Sequence, residues 1–445
     1  MQKRLKTYYI GHILNRPMRR LFMVMLWVIF CVASPAVILY TAGYRYDFVR
    51  KQIKQTGVLS VDVLPLDAIV TLNNIQIDKK IPIRLGNRAP GTYSLKIERA
   101  GYKTWEKDIV IESNNTTYIK GVTLIKDTLP IRISNDSDVT DITAIQGYND
   151  SIAELKKVSG LFEFHIVNAS TLTDTLIYRI SSQDNPSLEV SPYTPIAYSR
   201  IPGATKDILY VVSLTNPENK SISSIDKNTK LTWNPTNTTE PLYKEENKHI
   251  SVLNVPQADR EIGTVSSSIW YRDHDGKFWI AKQSAIINPD LGTAYTFPDE
   301  ISSIIDINKN RVIATHNNTT MVAKITNEQV ESVQTINGTN TFYNRRTGEW
   351  LIWSEWELSS IYPDGGVSLL NRSGDKIQKV TLLDQDGVLL LATEKELAAF
   401  NPGYYVRHEL VPMRNSMITS VNINKRILYF FGTFAGHKGI YSLEY

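Results

Sequence analysis

An uncharged apolar run near the N-terminus constrains this chain more than any other feature. Residues 21–43 read LFMVMLWVIFCVASPAVILYTAG and contain no Asp, Glu, Lys or Arg. At about 1.5 Å of rise per residue, a helix of this length crosses a hydrocarbon layer of roughly 30 Å. A single segment within lipid must satisfy its own backbone hydrogen bonds, and only a helix does so. The run therefore predicts one transmembrane helix at residues 21–43, in contact with the lipid bilayer.

Charges on the two sides of this run predict its orientation. Residues 1–20 contain six basic residues and no acidic one, whereas residues 44–56 contain four basic residues together with Asp47. Because cytoplasmic flanks carry the excess of Lys and Arg, we expect a cytoplasmic tail at 1–20 and a juxtamembrane linker at 44–56 on the outer side. A cleaved signal peptide is the alternative, since Ser34-Pro35-Ala36 offers a small-residue cleavage site. The apolar run continues past that site, which favours a retained single-pass anchor in the cell membrane.

The net charge after the basic tail argues against a nucleic-acid-binding protein, and the single cysteine excludes a disulfide within the chain. The formal net charge is +4, so the part of the chain after the six basic tail residues carries −2. A nearly neutral body lacks the basic surface that nucleic acid requires, and we expect no nucleic-acid partner. Cys31 is the single cysteine and lies in the apolar run, so no disulfide forms within the chain.

Residues 57–124 show the alternation of half-buried strands. Leu59, Val61 and Val63 share one face of a first segment, and TYSLKIE at 92–98 alternates in the same way. Turn residues separate such segments, and no helical period appears. The pattern predicts a small β-sandwich of five to seven short strands.

The landmarks of this region resemble a known family. The runs LSVDVLPLDAIVTLNN, IPIRL and APGTYSLKIERAGYKTWEKDIVI contain Pro90-Gly91, Gly101-Tyr102 and Trp105 in order, with an altered signature tetrapeptide, PLDA, at 65–68. In these features the region resembles a PEGA domain. The resemblance implies a β-sandwich on a bacterial envelope protein and an extracytoplasmic location. We expect Tyr93 and Trp105 to be core residues of this sandwich.

Apolar bursts recur in residues 127–445. Ile313, Leu351, Leu389 and Leu428 occupy equivalent places in strand–turn–strand units, at spacings of 38, 38 and 39 residues. A period near 40 made of strand pairs is typical of β-propeller blades, and the length of the region predicts seven or eight blades, of which we favour seven. The region resembles the TolB-like and WD-repeat-like propellers. The expected fold is thus mainly β: one transmembrane helix, a small sandwich and a propeller of about seven blades.

Closure of the ring is a further expectation. An open propeller would leave two blades with exposed edges and uncovered apolar faces. The segment LPIRI at 129–133 directly follows the small domain, and Pro130 suits an edge strand because it has no N–H to donate. We therefore expect residues 129–133 to pair with GIYSL at 439–443 and to complete the last blade.

A search for local chemical motifs finds no catalytic, cofactor-binding or metal site. The chain contains neither a phosphate-binding GxxxxGK[ST] loop nor a GxSxG nucleophile turn. SIDK at 224–227 has the SxxK spacing without its partner motifs, which favours a surface turn. Zinc is not expected, because no two of the seven histidines have metal-ligand spacing: His12, His165, His249, His274, His316, His408 and His437.

Two acidic turns and one aromatic cluster have alternative interpretations. DHDG at 273–276 and DQDG at 384–387 provide the first ligands of a calcium loop but lack its downstream Glu, so tight hairpin turns are favoured. Trp350, Trp353 and Trp356 cannot all face one side of a strand, because side chains alternate. Packing between blades is favoured for them over a sugar- or peptide-stacking surface.

These observations favour a membrane-anchored extracytoplasmic binding or scaffolding protein of the cell envelope. Its propeller would present a surface for a protein or glycan partner, and its binding residues are not predicted from sequence. The alternative is a propeller-type hydrolase or lyase acting on an envelope polysaccharide, since propeller enzymes assemble carboxylates from several blades. Two or more carboxylates that converge in the central channel would favour the enzyme, and a flat or apolar face would favour the binding protein.

Overall fold

The computed structural model describes residues 16–41, 43–47, 52–135, 138–145, 151–182, 184–191, 194–234, 239–253, 255, 259–412 and 418–445. The chain divides into two compact units, residues 1–124 and 125–445. Each unit is described below by itself.

The first unit begins with helix α1 (Arg16–Thr41), which covers the predicted segment up to Thr41. Its stretch Pro17–Thr41 has a mean hydropathy of 2.5, is not buried by the protein, and is long and apolar enough to cross a membrane. Residues 44–56, expected to be a linker, instead contain an antiparallel hairpin of β1 (Tyr44–Asp47) and β2 (Gln52–Gln55). Tyr44 lies opposite Gln55 and Asp47 opposite Gln52 in this pair, so the two strands satisfy each other's backbone groups.

Seven strands follow in residues 57–123 and form two sheets. One sheet has the order β6-β3-β9, with β3 and β9 parallel, and the other has the order β5-β4-β7-β8. The strands are β3 (Gly57–Leu64), β4 (Ile69–Leu72), β5 (Ile75–Gln76), β6 (Ile83–Arg88), β7 (Gly91–Glu98), β8 (Trp105–Ile111) and β9 (Thr116–Thr123).

The sandwich core follows the predicted alternation. Leu59, Val61 and Val63 are almost fully buried, and Trp105 is only 3% exposed, which confirms its place in the core. Tyr93 is half-buried, so its assignment to the core is wrong. Its hydroxyl needs a polar partner and donates to the Ala89 carbonyl at 2.8 Å, which keeps the ring near the surface.

The second unit begins with strand β10 (Ile131–Ser134) and continues as consecutive four-stranded antiparallel sheets. Sheet 1 contains β11 (Val139–Ala144), β12 (Ser151–Val158), β13 (Leu161–Asn168) and β14 (Thr173–Ile180). Sheet 2 contains β15 (Ser187–Val190), β16 (Ile196–Ile201), β17 (Lys206–Ser213) and β18 (Lys220–Asp226). Sheet 3 contains β19 (Lys230–Trp233), β20 (Leu242–Glu246), β21 (His249–Leu253) and β22 (Arg260–Thr264). Sheet 4 contains β23 (Trp270–Arg272), β24 (Phe278–Lys282), β25 (Ala285–Asn288) and β26 (Thr293–Thr296).

The remaining sheets repeat this arrangement. Sheet 5 contains β27 (Ser303–Ile307), β28 (Arg311–His316), β29 (Thr319–Thr326) and β30 (Gln329–Asn337). Sheet 6 contains β31 (Asn340–Asn344), β32 (Glu349–Trp353), β33 (Glu357–Ile361) and β34 (Val367–Arg372). Sheet 7 contains β35 (Ile377–Leu382), β36 (Leu389–Thr393), β37 (Glu396–Asn401) and β38 (Val406–Pro412). Sheet 8 joins β10 to β39 (Ile418–Asn422), β40 (Ile427–Phe434) and β41 (His437–Glu444).

The second unit is a β-propeller, and its described residues form eight four-stranded sheets rather than the favoured seven. Some sheets are more compact than the assumed blade length: sheet 4 runs only from Trp270 to Thr296. The length of the region predicted seven or eight blades, so the eight sheets fall within that prediction and exceed the favoured count by one.

Two sets of contacts close the ring, as the sequence predicted. Strand β10 pairs antiparallel with β41, with Ile131 opposite Ser442 and Arg132 opposite Tyr441. The Ala144 N–H of sheet 1 also donates to the Ser420 Oγ of sheet 8, at 2.6 Å. The two ends of the propeller chain are thus joined by hydrogen bonds, and the apolar faces of the first and last sheets cover each other.

Packing between neighbouring sheets explains the continuous apolar bursts. On β36, Leu390 contacts the core shared with sheet 8, whereas Leu389 and Leu391 contact the core shared with sheet 6. A strand buried on both faces needs apolar residues at consecutive positions. The inner strand of each sheet, which is β39 in sheet 8 and the first in chain order in the others, is called its first strand. The side chains of these strands line the central channel.

Candidate functional site

The central channel contains two cavities that share lining residues. The larger, of about 910 Å³, is lined mainly by the first strands of sheets 1, 2, 6, 7 and 8. The smaller, of about 350 Å³, is lined mainly by the first strands of sheets 3 to 6. Trp233 and Thr341 line both. Both volumes fall in the range of small-molecule sites, which makes the channel the candidate functional site.

A group of opposite charges lies in the larger cavity. Asp141 from sheet 1, Glu189 from sheet 2 and Lys379 from sheet 7 all line it. Lys379 Nζ donates to the Thr419 carbonyl of sheet 8, the sheet that separates Lys379 from Asp141, at 2.5 Å. The ring thus brings together side chains that are up to 238 residues apart in sequence.

The surroundings shift the pKa values of this group. Burial raises the pKa of Asp141 to about 6; Lys379 opposes the shift and Glu189 adds to it. Burial lowers the pKa of Lys379 from its ordinary value, and Asp141 opposes this shift. Lys379 nevertheless remains accessible to water in the channel. The cavity therefore offers the Lys379 amine as a donor and the carboxyl groups of Asp141 and Glu189 to a ligand.

The rim of the larger cavity is basic. Arg345 and Arg346 are exposed in the turn after β31, and the Arg346 N–H donates to Asn344 Oδ1 at 3.1 Å, which shapes that turn. The Arg346 guanidinium also donates to the Gln385 carbonyl in the corresponding turn of sheet 7. The rim therefore presents positive charge at the entrance of a channel whose interior contains both signs.

Five aromatic side chains are among the residues that line the smaller cavity, and hydrogen bonds fix the orientation of several of them. Trp233 Nε1 donates to Glu189 Oε2 at 3.1 Å, and Trp270 Nε1 donates to Glu245 Oε2 at 2.6 Å. Tyr271 donates through its hydroxyl to Asp306 Oδ1 at 3.2 Å. Since each polar atom is held by a carboxylate, the rings form a rigid wall.

A buried ion pair supports this wall. Arg311 is 1% exposed and donates through Nη2 to Asp306 Oδ2 at 2.9 Å. The same guanidinium donates to the carbonyls of Gly348 and Tyr362 in sheet 6, and Trp350 Nε1 donates to Asp306 at 3.0 Å. Asp306 and Arg311 of sheet 5 thus link that sheet to sheets 4 and 6. All three sheets border the smaller cavity.

The acidic motifs found in the sequence are structural. Asp273 accepts the Lys277 N–H at 2.9 Å and Trp279 Nε1 at 2.8 Å, and Asp384 accepts the N–H groups of Asp386 and Val388. Both motifs form hairpin turns, as favoured. Within the described part of the chain, no group of three His, Cys, Asp or Glu residues could hold a metal ion.

The other candidate motifs also have structural roles. Residues 224–227 end β18 and enter a surface turn, as expected. Trp350 and Trp353 are buried on opposite faces of β32, in the cores toward sheets 5 and 7. Trp356 is 46% exposed and lines neither cavity. Packing between blades is thus confirmed for the two buried tryptophans.

No local signal in the sequence identifies the channel residues. Asp141, Glu189 and Lys379 lie on strands in three different sheets, and none belongs to a motif. Polar residues at equivalent places on the first strands of successive blades would be the signal, but detecting it requires the register of every blade.

Comparisons with known proteins give one family match and several distant structural neighbours. The model of the PEGA domain matches residues 56–124. The search of curated proteins gave no match. Among solved structures, an uncharacterized protein from Listeria monocytogenes EGD-e is 13% identical with a TM-score of 0.42, over 65% of this chain and 99% of that one. The β-propeller domain of Cps50 (Swd1) from Myceliophteria thermophila is 12% identical with a TM-score of 0.40, over 71% and 99% of the two chains. An oligogalacturonate lyase in complex with manganese is 10% identical with a TM-score of 0.39, over 70% and 91%. The PEGA model thus matches the small sandwich, residues 56–124, and the propeller of the second unit is established by its own strand order and its closing strand.

Proposed function

We propose that this protein is a membrane-anchored, extracytoplasmic binding or scaffolding protein of the cell envelope whose propeller binds a protein or glycan partner at the mouth of its channel. The observation that carries the proposal is the larger cavity, where Asp141, Glu189 and Lys379 from three sheets meet below a basic rim. Convergent polar groups in a concave site provide specificity for a ligand.

The N-terminal region supports the anchored location. Helix α1 exposes its apolar side chains, and the PEGA domain follows it within the same unit. The excess of basic residues before the helix favours a cytoplasmic N-terminus. Intact cells treated with protease should lose a C-terminal epitope. Protection of that epitope, or a mature N-terminus near Val37, would contradict this location.

Binding at the channel is tested with the full-length protein in detergent micelles. Lys379→Met removes the ammonium group, and Asp141→Asn removes the carboxylate charge. Lys376→Met is the matched control, since Lys376 lies outside both cavities and pairs with Glu355 at 3.2 Å. We expect the amount of envelope material bound by the protein to fall at least tenfold in the two channel variants and to stay unchanged in the control. Equal binding by all four proteins would exclude the channel as the site.

An enzyme is the second candidate function, because three carboxylate residues line the larger cavity, and two or more were the feature that would favour catalysis: Asp141, Glu189 and Asp384. Asp141, with a pKa raised to about 6, has the acidity of a general acid for glycoside cleavage. A hydrolase would release reducing ends from envelope polysaccharide, and a lyase would release unsaturated sugars. Such products should form with the wild type and not with Asp141→Asn. If the wild type binds polysaccharide and releases no product, the binding function alone remains.

A further inference from the structure

The smaller cavity differs chemically from the charged mouth of the channel. Three of the eight tryptophans in the chain line it, and Tyr243 and Tyr271 add two further rings: Trp233, Trp270 and Trp350. Trp233 and Trp270 are only partly buried, so part of each ring remains accessible. Its volume of about 350 Å³ is at the lower end of the range for small-molecule sites.

The aromatic rings are held before any ligand arrives. The indole N–H groups of Trp233 and Trp270 are bound to Glu189 and Glu245, and Trp270 also packs edge-on against Tyr243 with ring centroids 5.8 Å apart. A ring that is already fixed loses little conformational entropy when a ligand binds to it. These rings therefore form a preorganised apolar surface.

Polar groups of both kinds lie between the rings. Lys230, Thr232 and Ser268 provide donors, and the Glu245 carboxylate has more lone pairs than one indole N–H occupies. Aromatic faces beside mixed donors and acceptors suit a pyranose, whose C–H faces are apolar and whose hydroxyls both donate and accept. A quaternary ammonium ligand, the other common guest of aromatic cages, is disfavoured because Lys230 and Arg272 line the same cavity.

We infer that this cavity is a subsite for one neutral sugar ring of a glycan that enters through the mouth of the channel. The inference rests on the proposed function and narrows its partner to a glycan. Trp233 and Thr341 line both cavities, so a glycan bound in the larger cavity would extend past these two residues into the smaller one.

The test is calorimetric titration of the full-length protein in a detergent without a sugar headgroup. Three neutral oligosaccharides are used: the tetramer of N-acetylglucosamine, cellotetraose and maltotetraose. Thr232→Trp fills the cavity from a position that is exposed to it, and Trp270→Leu removes one wall. The matched controls are Thr335→Trp, at an exposed position of the outermost strand of sheet 5, and Trp356→Leu, at the exposed tryptophan outside both cavities.

We expect at least one oligosaccharide to bind the wild type, and both cavity variants to bind it at least tenfold more weakly. The two controls should stay within twofold of the wild type. No binding of any of the three sugars, or unchanged affinity in the correctly folded Thr232→Trp variant, overturns the sugar subsite. Should Trp270→Leu fail to fold, Thr232→Trp still decides the question.

The proposed function and the subsite fail in different ways. If Lys379→Met abolishes the binding of envelope material while no sugar binds, the channel mouth remains the site and its partner is not a neutral glycan. If a sugar binds through the smaller cavity while Lys379→Met changes nothing, the subsite stands and the assignment of the mouth falls.

Discussion

The PEGA domain and the propeller are both built of antiparallel-rich β-sheet, yet they bury different kinds of side chain. Across the described part of residues 56–124, the buried side chains are apolar. The propeller buries polar and charged groups as well, among them Asp306 and Arg311. Burying a charge is unfavourable unless it is paired, so such groups indicate an interior built to hold polar contacts in place. The sandwich core is thus apolar over its described residues, whereas the interior of the propeller also holds polar contacts.

Opening the propeller ring should produce the largest difference in stability between the propeller and the PEGA domain. Deletion of residues 438–445 removes most of β41, the strand that pairs with both β10 and β40. We expect amide protection to be lost throughout the propeller, an effect as large as the whole stability of a domain, about 5–15 kcal/mol. Hydrogen exchange of the full chain measures this, and the PEGA domain is the internal control. Loss of protection in sheet 8 alone would show that the blades are independent.

Breaking the buried ion pair should affect only the propeller. Arg311→Met leaves the Asp306 carboxylate buried without its cationic partner. We expect the propeller to lose about 3–5 kcal/mol of unfolding free energy. Arg372→Met is the matched control, since Arg372 is largely exposed and pairs with Glu357, and its cost should stay below about 1 kcal/mol. Hydrogen exchange measured at increasing denaturant concentrations reports the unfolding free energy of each unit separately. Equal costs for the two substitutions would contradict a structural role for the Asp306–Arg311 pair.

A core truncation should affect only the sandwich. Trp105 is 3% exposed, and Trp105→Ala should lower the unfolding free energy of the PEGA domain by about 3–5 kcal/mol through lost burial and a residual cavity. Exchange rates in the propeller should not change. A cost below about 1 kcal/mol would mean that the indole is not a core group and would favour a ligand-binding role for it.

The pH dependence of stability should show the smallest difference. The pKa of Asp141 is raised from 3.8 to about 6, so between about pH 4 and pH 6 the folded propeller binds more protons than the unfolded chain. Its stability should therefore fall as the pH rises through this range, by less than about 3 kcal/mol because Asp141 is only partly buried. Asp141→Asn should remove this contribution, which is measured by denaturation at several pH values. An identical pH profile in the variant would exclude Asp141 as its source.

The sequence predicted much of the fold because the relevant signals are local or periodic. The alternation at Leu59, Val61 and Val63 identified the inner face of β3, and the spacing of about 38 residues identified the blades. Tyr93 was placed in the core because alternation reports which face a residue occupies and not how deep it lies. The favoured count of seven blades is one below the eight sheets of the described residues, because the length allowed seven or eight and the repeat is regular only from Ile313 onward.

The sequence by itself determined the apolar segment, the PEGA domain, the propeller and the strand that closes it, since each depends on a run, a period or a short ordered set of landmarks. Only the tertiary structure decided where polar groups meet. Asp141, Glu189 and Lys379 share a cavity, and Trp233 and Trp270 share a wall, because ring closure places first strands from different sheets around one axis. Residues on those strands are distant along the chain, so no local pattern records that they converge.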